Sequence, residues 1–218
     1  VNAQGQLIGM ITVDDVMEVA REECEEDVLR LGGGGEENVD DGVIQASTKR
    51  FTWLLVNLGT AILASLVIGM FDATLEQMVA LAVLMPIVAS MGGNAGTQTL
   101  TITVRALAMK DLTKYNTFRT FRKELIVGFL NGCVFACLAG IITVFWFSHL
   151  GNANLLGAII AVAMIINLVV AGVSGVALPI LLEKLKVDPA VASGVFVTTI
   201  TDVVGFLAFL GLASIFLL

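Results

Sequence analysis

The chain has 218 residues, is 57% hydrophobic but only 14% charged, and carries a formal charge of −7. Soluble domains hold about a quarter charged residues, so composition excludes an ordinary soluble domain, and the acidic balance disfavours a nucleic-acid partner. The charge is divided unevenly: residues 1–48 hold 12 acidic and 2 basic side chains, whereas residues 49–218 hold 7 acidic and 10 basic ones.

The chain opens Val1-Asn2-Ala3-Gln4 without an initiator methionine and reads as a piece of a longer protein. Gly5 to Val13 (Gly-Gln-Leu-Ile-Gly-Met-Ile-Thr-Val) predicts a tight turn leading into a short buried strand. Asp14-Asp15 then cap a helix from Val16 to Leu31, with Glu18, Glu22, Glu23, Glu25, Glu26 and Asp27 along it. Gly32 to Gly35 break that helix, and Glu36 to Asp41 add four further acids. Acids at this density form either a solvated, self-repelling face or a set of carboxylates that converges only when divalent cations neutralise it.

Residues 51–71 contain no charge for 21 positions, and about 20 apolar residues suffice for a helix to cross a bilayer. Further apolar runs cover 78–104, 125–148, 153–182 and 190–218, which predicts five crossings in all. The second run contains Pro86 and Gly92-Gly93-Asn94-Ala95-Gly96. One expectation is non-helical backbone whose carbonyls face a pore together with Asn94 and Gln98. The other is close helix packing, because Gly92 and Gly96 have small-xxx-small spacing. Basic residues alternate with connection number. Lys49 and Arg50 precede the first span, and the second connection carries Arg105, Lys110, Lys114, Arg119, Arg122 and Lys123. The fourth carries Lys184 and Lys186, while the first and third carry none. The positive-inside rule then places the N-terminus in the cytoplasm and the C-terminus outside.

Within the spans, Asp202 is the strongest signal. An ionisable group at membrane depth costs at least about 2.5–3.5 kcal/mol on insertion scales and marks function more often than not. Thr198 and Thr201 lie four and three residues earlier, on the same helix face, and Gly205 follows. This all-oxygen set suits a hard cation such as Mg²⁺ or Ca²⁺; the competing reading is a structural Asp bonded to a neighbouring helix. Asn57, Thr60, Asn131 and Asn167 read as interhelical hydrogen bonds. Gly172, Gly175 and Pro179 predict close packing and a kink. Glu124 reads as an acid at the cytoplasmic mouth or as an interfacial ion pair. Cys133 and Cys137, four apart, read as packing residues, and a single histidine makes a histidine-based metal site implausible. No phosphate loop, nucleophile elbow, zinc spacing or dinucleotide fingerprint is present, so the sequence does not read as an enzyme.

Three patterns coincide. Pro86 with Gly92-Gly93-Asn94-Ala95-Gly96-Thr97-Gln98 resembles the second-helix signature of the MgtE family of magnesium channels. Thr199-Ile200-Thr201-Asp202-Val203-Val204-Gly205 resembles that family's fifth-helix motif, and Val187-Asp188-Pro189-Ala190 matches before it. Gly5 to Val16 looks like the end of a CBS domain. The resemblance implies an all-α membrane protein of five transmembrane helices. Residues 1–15 would be a short cytoplasmic CBS remnant, 16–48 an acidic connecting (plug) helix and linker, and 49–218 the channel domain. It implies a Mg²⁺-selective channel of the cytoplasmic membrane with its pore on a homodimer axis. Hydrated Mg²⁺ would be held by Asp202 with the carbonyl at Thr198, and Gly93, Asn94, Gln98 and Gly205 would line the pore. It also implies regulatory Mg²⁺ bound by Asp15, Glu18, Glu23, Glu26 and Asp27. The run Gly32 to Gly35 departs from a continuous plug helix. The alternative function is a coupled divalent-cation or cation/proton secondary transporter.

Overall fold

The computed structural model describes residues 10–19, 21, 40–112 and 115–217, apart from the side chains of residues 190–193. Every regular element among the described residues is helical. Residues 13–19 form α1. It is followed by α2 (Val43–Gly69), a short α3 (Asp72–Gln77), α4 (Val79–Ala108), α5 (Thr117–Trp146), α6 (Ala153–Lys184) and α7 (Pro189–Phe216). Five of these, α2, α4, α5, α6 and the part of α7 from Gly194 to Phe216, are long and apolar enough to cross a membrane.

The predicted strand at the front is not formed by its described part. Met10 to Thr12 are irregular and Val13 already opens α1. Met10, Ile11 and Val13 are 83%, 80% and 75% exposed, so no burial favours a strand there. The local side chains favour a helix start instead. The Thr12 amide and hydroxyl both donate to Asp15 Oδ2, at 2.7 and 2.8 Å. The Asp15 amide donates back to Thr12 Oγ1 at 3.3 Å. This is a capping box with Thr12, rather than Asp14-Asp15, at the N-cap. The bonds from Thr12 hold the Asp15 carboxyl below its ordinary range. A carboxyl lowered in the folded state stabilises the cap at neutral pH, and that contribution is lost as pH falls through its depressed value.

The spans extend beyond their charge-free runs. Helix α2 carries Lys49 and Arg50, and the first two turns of α5 carry Arg119, Arg122 and Lys123. Backbone hydrogen bonding continues past the apolar stretch because long basic side chains can reach the headgroup level from within a helix. The turns after α4 and α6 share one geometry. Lys110 and Lys186 have φ of 57° and 60°. The next amides, of Asp111 and Val187, bond back to Ala106 O and Leu182 O at 2.9 and 3.0 Å. Glycine ordinarily takes this left-handed position. Here an exposed lysine takes it, at a helix end where the dipole favours a cation.

The core forms around α6, which is buried from Ala153 and Leu156 through Asn167 to Pro179. Helix α5 meets it along Gly128, Gly132, Ala136 and Gly140, four residues apart and all buried. A Cβ on Gly128 would stand 2.7 Å from Leu168 O, and one on Gly132 would stand 3.1 Å from Ile165 Cα. The two backbones therefore touch. Lipid tails are as apolar as leucine, so such contact, rather than hydrophobicity, drives helix association in a bilayer. Helix α2 is peripheral: Ala64 is its one buried residue, and Gly59 has nothing within 4 Å of a would-be Cβ.

The expected break in the second span does not occur. Helix α4 runs unbroken through Pro86 and Gly92 to Gly96. Each glycine inside a helix costs about 1 kcal/mol relative to alanine, but here glycines admit neighbours. A Cβ on Gly96 would lie 2.4 Å from Val197 of α7, and one on Gly175 of α6 would lie 2.9 Å from Gly96 O. The packing reading of the Gly92/Gly96 spacing is the one realised. The contrast between glycines gives a test by thermal unfolding in detergent. Gly128→Val should destabilise by about 1–3 kcal/mol through overpacking, whereas Gly59→Ala should be neutral or stabilise by up to about 1 kcal/mol.

Candidate functional site

Helix α7 carries Asp202 at membrane depth, and its threonines are already committed in part. Thr198 Oγ1 donates to Gly194 O and Val195 O at 3.1 and 2.9 Å. Thr201 Oγ1 donates to Val197 O and Thr198 O at 3.1 and 2.9 Å. A hydroxyl that gives its proton to its own helix keeps its oxygen lone pairs for a cation or for water. Access separates the two. Thr198 is partly exposed one turn before the partly exposed Asp202, whereas Thr201 is 0% exposed and packs beside Gly96. Gly205, expected to line a pore, is also buried, against Asn167. Thr201 and Gly205 thus lie on the inner side of α7, and Thr198 and Asp202 on its open side.

Helix α4 supplies the adjoining face. Gly93 meets Thr198 closely enough that a Cβ would stand 3.6 Å from Thr198 Cγ2. Asn94 and Gln98, expected pore residues, are exposed. They belong to a longer polar stripe that the sequence reading passed over. Ser90 and Thr101 are exposed and Thr97 is partly so. Asn94 Nδ2 reaches Ser90 Oγ at 3.4 Å, Thr97 Oγ1 donates to Gly93 O, and Thr101 Oγ1 donates to Thr97 O at 2.9 Å. The spacing 90, 94, 97, 101 is that of one helix face and could have been found by counting polar rather than apolar positions in the span.

Glu124 stands elsewhere. It lies eight residues into α5, is 6% exposed, and continues the Gly128–Gly140 seam toward the basic end. Its Oε2 accepts from Thr99 Oγ1 of α4 at 3.1 Å, and its Oε1 lies 3.5 Å from Lys123 Nζ. The contact joins the buried Glu124 carboxylate to a Lys123 side chain that is 67% exposed. Asp15 is occupied by the capping box and Glu18 is exposed on α1, while Glu23, Glu26 and Asp27 lie outside the described residues. Among the described residues, no three of histidine, cysteine, aspartate and glutamate gather into a metal-holding group. Asp202 is the one acid on the α4–α7 face, so a single chain presents to a cation one carboxylate with hydroxyl, amide and carbonyl oxygens. Oxygen donors of this kind are those that hard cations take.

Residues 85–212 match the MgtE family model, described as a divalent cation transporter. Proteins named magnesium transporter MgtE are similar over almost the whole chain. Those of Bacillus subtilis and Enterococcus faecalis are each 35% identical, over 212 and 211 residues, covering 97% of this chain and 46% of the relative. That of Thermus thermophilus is 34% identical over 220 residues, covering 100% of this chain and 48% of the relative. The chain therefore spans about half the length of these relatives. With its five span-length helices, the chain belongs to the MgtE family of divalent cation transporters.

Proposed function

We propose that this chain conducts Mg²⁺ across the cytoplasmic membrane, along the face made by α4 and α7 on the axis of a homodimer. The observation that carries the reading is the polar stripe Ser90, Asn94, Thr97, Gln98 and Thr101 beside Thr198 and Asp202. Hydrocarbon cannot hydrogen-bond these groups, and a carboxylate there is expensive. The face is stable in a bilayer when it turns toward water or a second copy of itself. A twofold axis along it brings two Asp202 carboxylates together across one path, so the pair presents twice the charge of a single chain to a hydrated cation. Mg²⁺ sheds water reluctantly, and two carboxylates with carbonyls and hydroxyls can attract the hydrated ion yet let it go, as conduction requires.

In the same reading the N-terminal side and both lysine-capped turns face the cytoplasm. Residues 1–15 end a CBS domain and 16–48 form the connecting segment. Asp15 and Glu18 belong with Glu23, Glu26 and Asp27 to a regulatory group that repels without cations and draws together when Mg²⁺ bridges it. The similarity of the front to a CBS domain end and the density of acids along it support this. A cation bridging Asp15 would compete with the Thr12 cap for the same carboxylate oxygen.

Mg²⁺ uptake into liposomes tests the path. D202N should insert normally and lose at least about tenfold in flux, because a charge that acts on the passing ion is worth more than one held at a surface; unchanged flux would remove the assignment. Dependence of uptake on a counter-ion gradient would favour the coupled-transporter reading. Orientation is tested by thiol labelling of whole cells in a cysteine-free background. Y115C, at a 99% exposed position in the basic connection, should label only after permeabilisation, and H149C, in the connection without bases, should label before it. The regulatory group is tested in a chain extended to the length of its relatives. Neutralising Glu18, Glu23, Glu26 and Asp27 together should abolish closure by cytoplasmic-side Mg²⁺, and closure that persists would refute the sensor.

A further inference from the structure

Asn167 is 0% exposed at the meeting of α4, α6 and α7. Its Nδ2 donates to Val88 O of α4 at 2.8 Å. That carbonyl lies four residues before Gly92, so the side chain bonds to the α4 backbone just ahead of the Gly92-Gly93 pair. Two glycines make the slot. A Cβ on Gly92 would stand 2.2 Å from Asn167 Nδ2, and a Cβ on Gly205 of α7 would stand 2.7 Å from it. One amide is thus clasped between the two helices that carry the open polar face. It is one residue from Gly93 on one side and one turn from Asp202 on the other. No donor among the described residues reaches its Oδ1.

That last fact argues against a packing role alone. Leucine has nearly the same branched outline, would fill the slot, and would leave no buried acceptor unmatched. A bilayer also admits leucine far more readily than asparagine. What leucine lacks is the bond to Val88 O, which ties α6 to the α4 backbone beside Gly205 of α7. We propose that Asn167 is a positioning residue for the cation path. Its amide sets the separation and rotation of α4 against α7, and thereby the placement of Gly93, Asn94, Thr198 and Asp202 around a passing hydrated divalent cation. This rests on the reading that the α4–α7 face lines that path.

The test uses the purified chain in liposomes, with Mg²⁺ and Ca²⁺ as separate probes, and thermal unfolding of the same samples. N167L should unfold at or above the parent temperature, yet shift the ratio of Mg²⁺ to Ca²⁺ flux by at least about tenfold, since small misplacements of positioned groups have effects of that size. The parent ratio in N167L would overturn the proposal. If N167L unfolds earlier than the parent, N167A and the double variant N167A/G92A decide, because the methyl group that G92A adds occupies the volume that N167A vacates. A double variant with the parent unfolding temperature and a shifted ratio supports positioning. Recovery of the ratio together with the temperature shows a volume filler and overturns it. D202N run in parallel separates the two claims: if it conducts like the parent, the path is misplaced whatever Asn167 does.

Discussion

The packing of α4, α5 and α7 depends on how closely their backbones can approach α6. In water, burying apolar surface would hold the helices together. Between lipid tails that force is absent, and contact at short range must replace it. Glycines provide the approach. Gly128 and Gly132 bring α5 onto α6, while Gly96 and Gly175 let α4 and α6 touch at a carbonyl. Each atom pair contributes only about 0.1–0.2 kcal/mol, so the stability lies in the length of the seam rather than in any single contact.

The same seams dispose of the polar groups. Glu124 lies on the line that continues Gly128 to Gly140, and its carboxylate finds Thr99 and Lys123. Asn167 occupies the slot left by Gly92 and Gly205. A buried charge or amide in lipid is tolerated when protein supplies its partners, and close-packed helices can supply them because their backbones stand near. On α4 and α7, Ser90 to Thr101 together with Thr198 and Asp202 make one open polar face. Close packing and open polar groups are therefore two sides of the same pair of helices. The inner sides carry Gly92, Gly96, Thr201 and Gly205, and the outer sides carry Gly93, Asn94, Thr198 and Asp202.

Much of this was readable without coordinates. Five apolar runs, four of them uncharged, announced five helices, because a bilayer's thickness sets a span length that few other structures need. Asp202 stood out because so few acids occur within those runs. The front was less legible. The apolar stretch Gly5 to Val13 suggested a turn and a short buried strand, but a strand exists only with partners, whereas Thr12 and Asp15 can satisfy a helix start within one turn. The glycine-rich stretch was ambiguous for a related reason. Glycine marks either broken helix or close approach, and only the identity of the facing residues, Asn167 and Val197, distinguishes them.

Composition along the chain was enough for the class of the protein, the number of its spans and the acid within the fifth of them. These follow from local composition measured against the fixed properties of lipid. Which side of each helix faces inward was decided by tertiary structure alone. Thr198 and Thr201 are equivalent by spacing from Asp202, yet one borders the open face and the other is enclosed. A helix presents residues in every direction, and only its neighbours, here α4 and α6 packed through glycines, determine which of them can meet an ion.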